Sequence, residues 1–180
     1  MLIRLARDSD SADILTWRND ETTRKTSQNK NIVTLGEHNL YFNRSLSNQN
    51  RVMYIGENDG FKVGICKFDF NDKELFSEVS INVNPSIRGK GLGKTFLQSS
   101  VDVYLDQNNY DLIAKIKTEN IISKKIFSYV GFELVKNNIN ELLYRKKKRN
   151  VNFRQVGNAD VDILFELLKK RKHYISHSKM

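Results

Sequence analysis

Residues 75–94, LFSEVSINVNPSIRGKGLGK, constrain the fold more than any other stretch of the chain. Apolar and polar residues alternate over 75–84, as in a half-buried strand, and Pro85 ends it by removing a ladder donor. A helix is expected over 91–107, with Leu92, Phe96, Leu97, Val101 and Leu105 on its inner face. Between strand and helix stand Gly89, Gly91 and Gly93, which let the backbone turn sharply and approach a ligand closely. The first amides of a helix have no internal partners, and the helix dipole favours an anion there. Arg88, Lys90 and Lys94 add positive charge, so a pyrophosphate is the natural guest; a plain tight turn is the alternative. A Walker loop is excluded, because Gly89 is one spacing short of the first glycine that Gly93-Lys94-Thr95 would require. A Rossmann fingerprint is excluded because the turn follows an antiparallel meander and not a parallel strand.

The meander is read from residues 51–57, 61–70 and 75–84, which alternate apolar and polar side chains with turns at Asn58-Asp59-Gly60 and Asn71-Asp72. Before it, residues 2–6 predict a strand, and Asp10 or Ser11 can cap a helix presenting Ile14, Leu15 and Trp17. Residues 18–31 read as a loop or a broken helix. Thr34 precedes Glu37 by three, a capping-box spacing, ahead of a helix carrying Leu40, Tyr41 and Phe42. After the 91–107 helix come a strand (111–117) and a helix (120–130) with Ile122, Ile126 and Phe127 inward, stopped at Gly131. Residues 132–135 and 141–144 pair as a last hairpin. The order β-α-α-β-β-β-α-β-α-β-β is a mixed α/β (α+β) domain over residues 1–146.

The remainder, 147–180, is a basic linker and an amphipathic helix. Residues 145–180 hold 11 Lys and Arg against three acidic residues, which leaves 19 basic against 18 acidic for the rest. Charge gathered in a tail, with no aromatic residue interleaved in Arg145–Arg149, argues against nucleic-acid binding. Residues 153–165 track residues 3–15 with one gap, so the tail is expected to open a second, similar domain. Its stripe of Ile163, Leu164, Leu167 and Leu168 needs a cover, which the body of the domain, a second copy in a homodimer, or a further domain would supply. The single Cys66 and three histidines leave no metal centre, and no apolar run nears the ~18 residues of a membrane span. A cytoplasmic protein is expected.

Arg88-Gly89-Lys90-Gly91-Leu92-Gly93, an R-x-x-G-x-G turn after a Val-x-Pro strand end, resembles the acetyl-CoA motif of the GNAT superfamily of N-acetyltransferases. Asn120-Ile121-Ile122-Ser123, with Gly131-Phe132 downstream, resembles that family's second segment. The resemblance implies a sheet of about seven strands with helices on both faces and a V splayed between the fourth and fifth strands. Acetyl-CoA would lie in that V as co-substrate. Backbone groups of Ile81 and Val83 would meet its pantetheine arm and acetyl carbonyl, and amides across Arg88, Gly89, Lys90, Gly91, Leu92 and Gly93 its pyrophosphate. Asn120 and Ser123 would reach the pantetheine end, and Lys124 and Lys125 the 3′-phosphate.

Acetyl transfer needs an amine freed of its proton, a polarised thioester carbonyl and a protonated leaving thiolate. Glu78 sits where the resemblance places a carboxylate near the cleft, as general base directly or through water, or as a solvent-facing strand residue. The family's usual tyrosine is replaced by Phe127, and Tyr129, about 200° further round the helix, is a weak general-acid candidate. Trp17-Arg18-Asn19-Asp20 with Glu37-His38 resembles a GNAT subset that acetylates ribosomal proteins or nucleotide-linked amino sugars. That subset implies Arg18, Asn19 and His38 at the acceptor site and Trp17 in the core or as a stacking platform. The expected acceptor is a small-molecule amine, a nucleotide-linked amino-deoxysugar; a protein or peptide amine, or a non-catalytic CoA-binding module, is the alternative.

Overall fold

The computed structural model describes residues 1–148; the internal repeat, the apolar stripe of the tail and the homodimer argued from it lie outside the described residues. Seven strands form one sheet: β1 (Leu2–Leu5), β2 (Arg51–Asn58), β3 (Phe61–Asn71), β4 (Phe76–Val83), β5 (Asp111–Lys117), β6 (Glu133–Asn137) and β7 (Glu141–Lys146). Their spatial order is β1-β2-β3-β4-β5-β7-β6, and every neighbouring pair is antiparallel except β4 and β5. The β2–β3 turn uses Asp59 and Gly60 at φ 49° and 78°, the doubly left-handed conformation that a two-residue hairpin demands.

Alternation along the strands builds two cores. Tyr54, Cys66, Phe68, Val79, Leu112 and Ala114 face α4 (Leu92–Gln107) and α5 (Ile121–Tyr129), whose Phe96, Leu97, Val101 and Phe127 are buried against them. Phe68 stacks on Tyr104 with ring centroids 4.1 Å apart, and the Tyr104 hydroxyl lies 2.6 Å from Ser77 Oγ. Met53, Ile55 and Ile65, one residue out of phase and hence on the opposite face, pack on Ile14 and Trp17 of α1 (Ser11–Asn19) and Phe42 of α3 (Leu35–Leu46). The capping box at Thr34 and Glu37 is present, as its spacing predicts. Trp17, only 4% exposed, is core packing. Cys66 is buried, and burial pushes its thiol up to about 12, so it stays an inert apolar contact.

Of the two forms expected for residues 18–31 the broken helix is found: α1 ends at Asn19 and a short α2 (Glu21–Thr26) follows, capped by Asp20, whose carboxylate accepts from the Thr23 amide at 2.9 Å. Two local expectations need correction. Asp10 does not cap α1; its buried carboxylate instead takes Arg4 at 2.7 and 2.9 Å, Lys62 at 2.8 Å and the Arg7 amide at 2.9 Å. Ile122 is 74% exposed, because α5 turns only Ile126 and Phe127 inward after its first turn.

Candidate active site

The V is a consequence of strand pairing. β4 and β5 pair only through Phe76–Asp111, Ser77–Leu112 and Glu78–Ile113. Beyond that point β4 stays with β3 as far as Val83, and β5 stays with β7 as far as Lys117, so the two strands part. From Val79 to Val83, the β4 edge turned toward β5 has no strand partner among the described residues, and Ile81 and Val83 lie on it. Unpaired strand edges are templates for an extended ligand. Glu78 marks the vertex.

At the open end of β4, Asn84 caps a single turn of 3-10 helix over Pro85–Ile87, accepting from the Ser86 amide at 3.0 Å. Gly89 and Gly91 follow at φ 80° and 75°, left-handed conformations that strain any side chain. Gly91 precedes α4, and no side chain caps that helix, so its first amides are open to an anion. Gly89, Lys90, Gly91 and Lys94 are exposed around that end, while Leu92 packs on the core. At the open end of β5, Asn120 Oδ1 caps α5 by accepting from the Ser123 amide at 3.0 Å.

Several side chains expected at ligands are otherwise engaged. The Arg88 guanidinium is turned back into the protein: Nη1 meets Asp20 Oδ1 at 2.5 Å, and Nη2 donates to Thr23 Oγ1 at 2.6 Å and the Val83 carbonyl at 3.3 Å. Asn19 clips the chain at Val33, donating to its carbonyl and accepting from its amide, both at 2.8 Å. Arg18 donates to the Asn29 carbonyl at 2.7 Å through Nη2; its Nη1 is buried with no partner among the described residues. His38 is 3% exposed, stacked on Phe42 and 3.1 Å from Ser11 Oγ, so it sits in the α1–α3 packing rather than in a cleft. Burial holds its imidazole below the usual value, in the neutral form. Lys124 donates to the Thr118 carbonyl at 2.9 Å, whereas Lys125 is exposed.

The chemistry-bearing positions divide likewise. Glu78 Oε2 is 2.8 Å from Lys115 Nζ, and that carboxylate raises the lysine further above its ordinary value. Phe127 is buried edge-on against Phe132 and offers no hydroxyl. Tyr129 is 66% exposed with Lys94 Nζ 4.7 Å above its ring, on the outer side of α4 and α5. Sequence reasoning missed the partners on the other face of the sheet, namely Tyr41, Arg51, Lys67, Asp69 and Lys115. The sequence held part of the signal, since Lys67 and Asp69 follow Ile65 at alternate positions of β3 and so share its face.

The model of the Acetyltransferase (GNAT) domain matches residues 1–133. The chain belongs to the GNAT acetyltransferase family. GNAT enzymes use acetyl-CoA as co-substrate, and the uncapped glycine turn beside an unpaired strand edge fits its pyrophosphate and extended arm. Among solved structures, ribosomal-protein-alanine N-acetyltransferase from Brucella melitensis is 25% identical, with 83% of this chain and 100% of that one covered and a TM-score of 0.67. Spermidine N-acetyltransferase from Vibrio cholerae, in complex with CoA and spermine, shares 14% identity over 80% and 92% of the two chains, with a TM-score of 0.68. A Salmonella typhimurium acetyltransferase structure with its cofactor acetyl-CoA is 20% identical over 87% and 98%, with a TM-score of 0.66. No curated protein matches the chain. Among the described residues no helix of this GNAT domain is long and apolar enough to cross a membrane, and no three His, Cys, Asp or Glu side chains gather to hold a metal ion. Within the basic run, Arg145 is paired with Asp111 and Lys146 donates to the Val130 carbonyl at 2.7 Å, so its first two charges serve the fold.

Proposed function

We propose that residues 1–146 transfer an acetyl group from acetyl-CoA to a primary amine carried by a nucleotide-linked amino-deoxysugar. The uncapped start of α4 at the end of an unpaired β4 edge carries this reading. The amides of Gly89 to Gly93 hold the pyrophosphate, with Lys90 adding charge. The backbone of Ile81 and Val83 pairs with the pantetheine arm, and the Asn120–Ser123 turn closes the β5 side. Arg88 contributes by fixing the turn, not by touching the anion, since its guanidinium is engaged by Asp20 and Thr23. The resemblance of Trp17-Arg18-Asn19-Asp20 to a subset that acetylates ribosomal proteins or nucleotide-linked amino sugars admits this acceptor, and the unpartnered Arg18 Nη1 is a donor that a sugar or phosphate oxygen would satisfy.

Glu78, at the vertex, accepts the proton of the incoming amine directly or through a water. With Phe127 in place of a tyrosine and Tyr129 on an outer surface, the leaving thiolate takes its proton from water rather than from a side chain. A free cysteine thiol ionises near ~8.5, so that departure needs little assistance. A peptide amine is the second reading, favoured by the likeness to the Brucella melitensis enzyme named for ribosomal-protein alanine. A CoA-binding domain without catalysis is a third, favoured by Phe127. The tail from 147 is read, from its sequence repeat, as the opening of a second domain of this kind.

The test is CoA release with acetyl-CoA and a panel of nucleotide-linked amino sugars, N-terminal alanine peptides and polyamines. Release with the sugars alone supports the reading, and release with the peptides alone replaces it. Acetyl-CoA binding by calorimetry with background release across the whole panel leaves the CoA-binding domain standing instead.

A further inference from the structure

On the sheet face opposite α4 and α5, strand register sets a polar band beside the V. Arg51, Asp69 and Glu78 are successive cross-strand partners on β2, β3 and β4, and Lys67 is the partner of Ser80, two residues further along the same face. Arg51 is paired with Asp69, and Lys115 with Glu78 at 2.8 Å. Lys67 alone in the band has no carboxylate: it forms no ion pair with any described residue. Its ammonium instead lies 3.3 Å from the Tyr41 hydroxyl and 5.7 Å from the centre of that ring. Arg51 Nη1 donates to the same hydroxyl at 3.0 Å.

Tyr41 reaches the band from α3 and is 45% exposed. Its oxygen accepts from two cations, Arg51 and Lys67, and also stands in hydrogen-bond contact with the Ser45 side chain. Burial alone would raise this phenol, but Lys67 and Arg51 outweigh that and hold it below the usual tyrosine value, which makes it a stronger donor. An ammonium without a counter-ion beside a phenol of raised acidity, on one partly open surface, fits an oxyanion. Strands lie about 5 Å apart, so a group held on β3 at Lys67 is roughly 5–10 Å from the gap between β4 and β5. A hexose ring spans a distance of that order between an amine and an anomeric phosphate.

We infer that Lys67 and Tyr41 bind an oxyanion of the acceptor, a phosphate in the reading above, and so select anionic amines over neutral or polycationic ones. This rests on acetyl transfer to an amine at the V. Two acceptors separate the question: a nucleoside-diphosphate-linked 4-amino sugar, and the same sugar released from its nucleotide. Lys67→Gln is expected to lower kcat/KM for the linked sugar on the order of tenfold to a hundredfold, through KM, and to leave the free sugar within about twofold. Lys67→Arg is expected to restore most of the difference, which a merely structural lysine would not do. On the unaltered full-length chain, the linked sugar and not the free one should protect Lys67 from an amine-reactive succinimidyl ester, a readout independent of how any variant folds.

Equal losses on both sugars, or no protection, overturn the assignment while leaving the nucleotide-sugar reading in place. Selective loss on an amino-carboxylate in place of the sugar keeps the oxyanion site and removes the sugar reading. If only polyamines or neutral peptides bind the CoA-saturated enzyme in calorimetry, both fall.

Discussion

Arg88 Nη1 stands 2.5 Å from Asp20 Oδ1, and this ion pair fastens the glycine turn at the end of β4 to the residue that caps α2. Thr23 closes the network, accepting from Arg88 at 2.6 Å and lying 3.2 Å from both Asp20 Oδ1 and Asn82 Oδ1. Burial pushes the Asp20 carboxyl upward, but hydrogen bonds from Arg88 and the Thr23 amide outweigh it and hold the group below its usual value. The glycine turn and the α2 cap are thus one mechanical unit.

If Arg88 acts by positioning, its loss and the loss of Asp20 remove the same thing. Arg88→Ala and Asp20→Ala should each weaken CoA binding, and the double variant should be little worse than either single one, a coupling of at least ~0.5 kcal/mol. Calorimetric titration of CoA into the four proteins measures it. A guanidinium that touched pyrophosphate directly would give additive losses, because Arg88→Ala would then remove a contact that Asp20→Ala leaves in place.

The three glycines of the turn are not equivalent. Gly91 is at φ 75° with nothing within 4 Å of an added Cβ, so Gly91→Ala costs backbone strain alone, about 1–2 kcal/mol. Gly93 is already helical, and its Cβ would meet Val83 Cγ2 at 3.4 Å, an ordinary contact. Gly91→Ala is expected to lower the melting temperature by a few degrees and to reduce the further rise that CoA gives. Gly93→Ala should change the melting temperature of the CoA-free protein by less. Thermal melts with and without CoA compare the two.

Glu78→Gln keeps the size of the vertex side chain and removes its basicity. As general base, Glu78 should account for ~10²–10⁴ in kcat, with acetyl-CoA affinity unchanged. Lys115 loses its partner in that variant, so the melt is followed alongside. A kcat reduced less than about threefold would leave Glu78 as the partner of Lys115 and nothing more.

How much of this was legible in the chain follows from how local each signal is. Thr34 and Glu37 make a box within one helical turn, and the glycines and Pro85 act through their own backbone, so the elements and the glycine turn could be read directly. The V was available only through the family resemblance, because it depends on where the β4–β5 register stops at Glu78 and Ile113, 35 residues apart in sequence. Side-chain partners distant in sequence were not legible. Arg88 is expected at the phosphates, and the structure sets Asp20 beside its guanidinium; His38 is expected at the acceptor, and Ser11 and Phe42 stand against its ring. Lys67 is the converse case, a lysine on an interior strand whose significance lies in the carboxylate that register fails to bring to it.

Asp10 makes the strongest stability prediction. Its side chain is fully buried, and burial alone would raise its pKa, but Arg4, Lys62 and the Arg7 amide together hold it well below the ordinary value of 3.8. A carboxyl whose folded value is depressed contributes stability that is complete above the unfolded value and is lost as pH falls through the folded one. Unfolding free energy should therefore decline as pH drops below about 4 and continue to decline well into the acid range. Asp10→Asn removes the charge but leaves Arg4 and Lys62, which tie β1 and β3 to the start of α1, without that counter-ion. Arg4 keeps Glu57 and Lys62 keeps Asp13, so the cost falls below the about 3–5 kcal/mol of breaking a fully buried pair from one side, and the variant should be a few degrees less stable at pH 7. The decisive comparison is the pH dependence: below about pH 4 the gap between the two proteins should shrink steadily, because protonation makes the Asp10 carboxyl as neutral as the amide that replaces it. Urea unfolding at a series of pH values measures it, and a gap that stayed constant from about pH 7 to about pH 2 would assign the loss to shape rather than to charge.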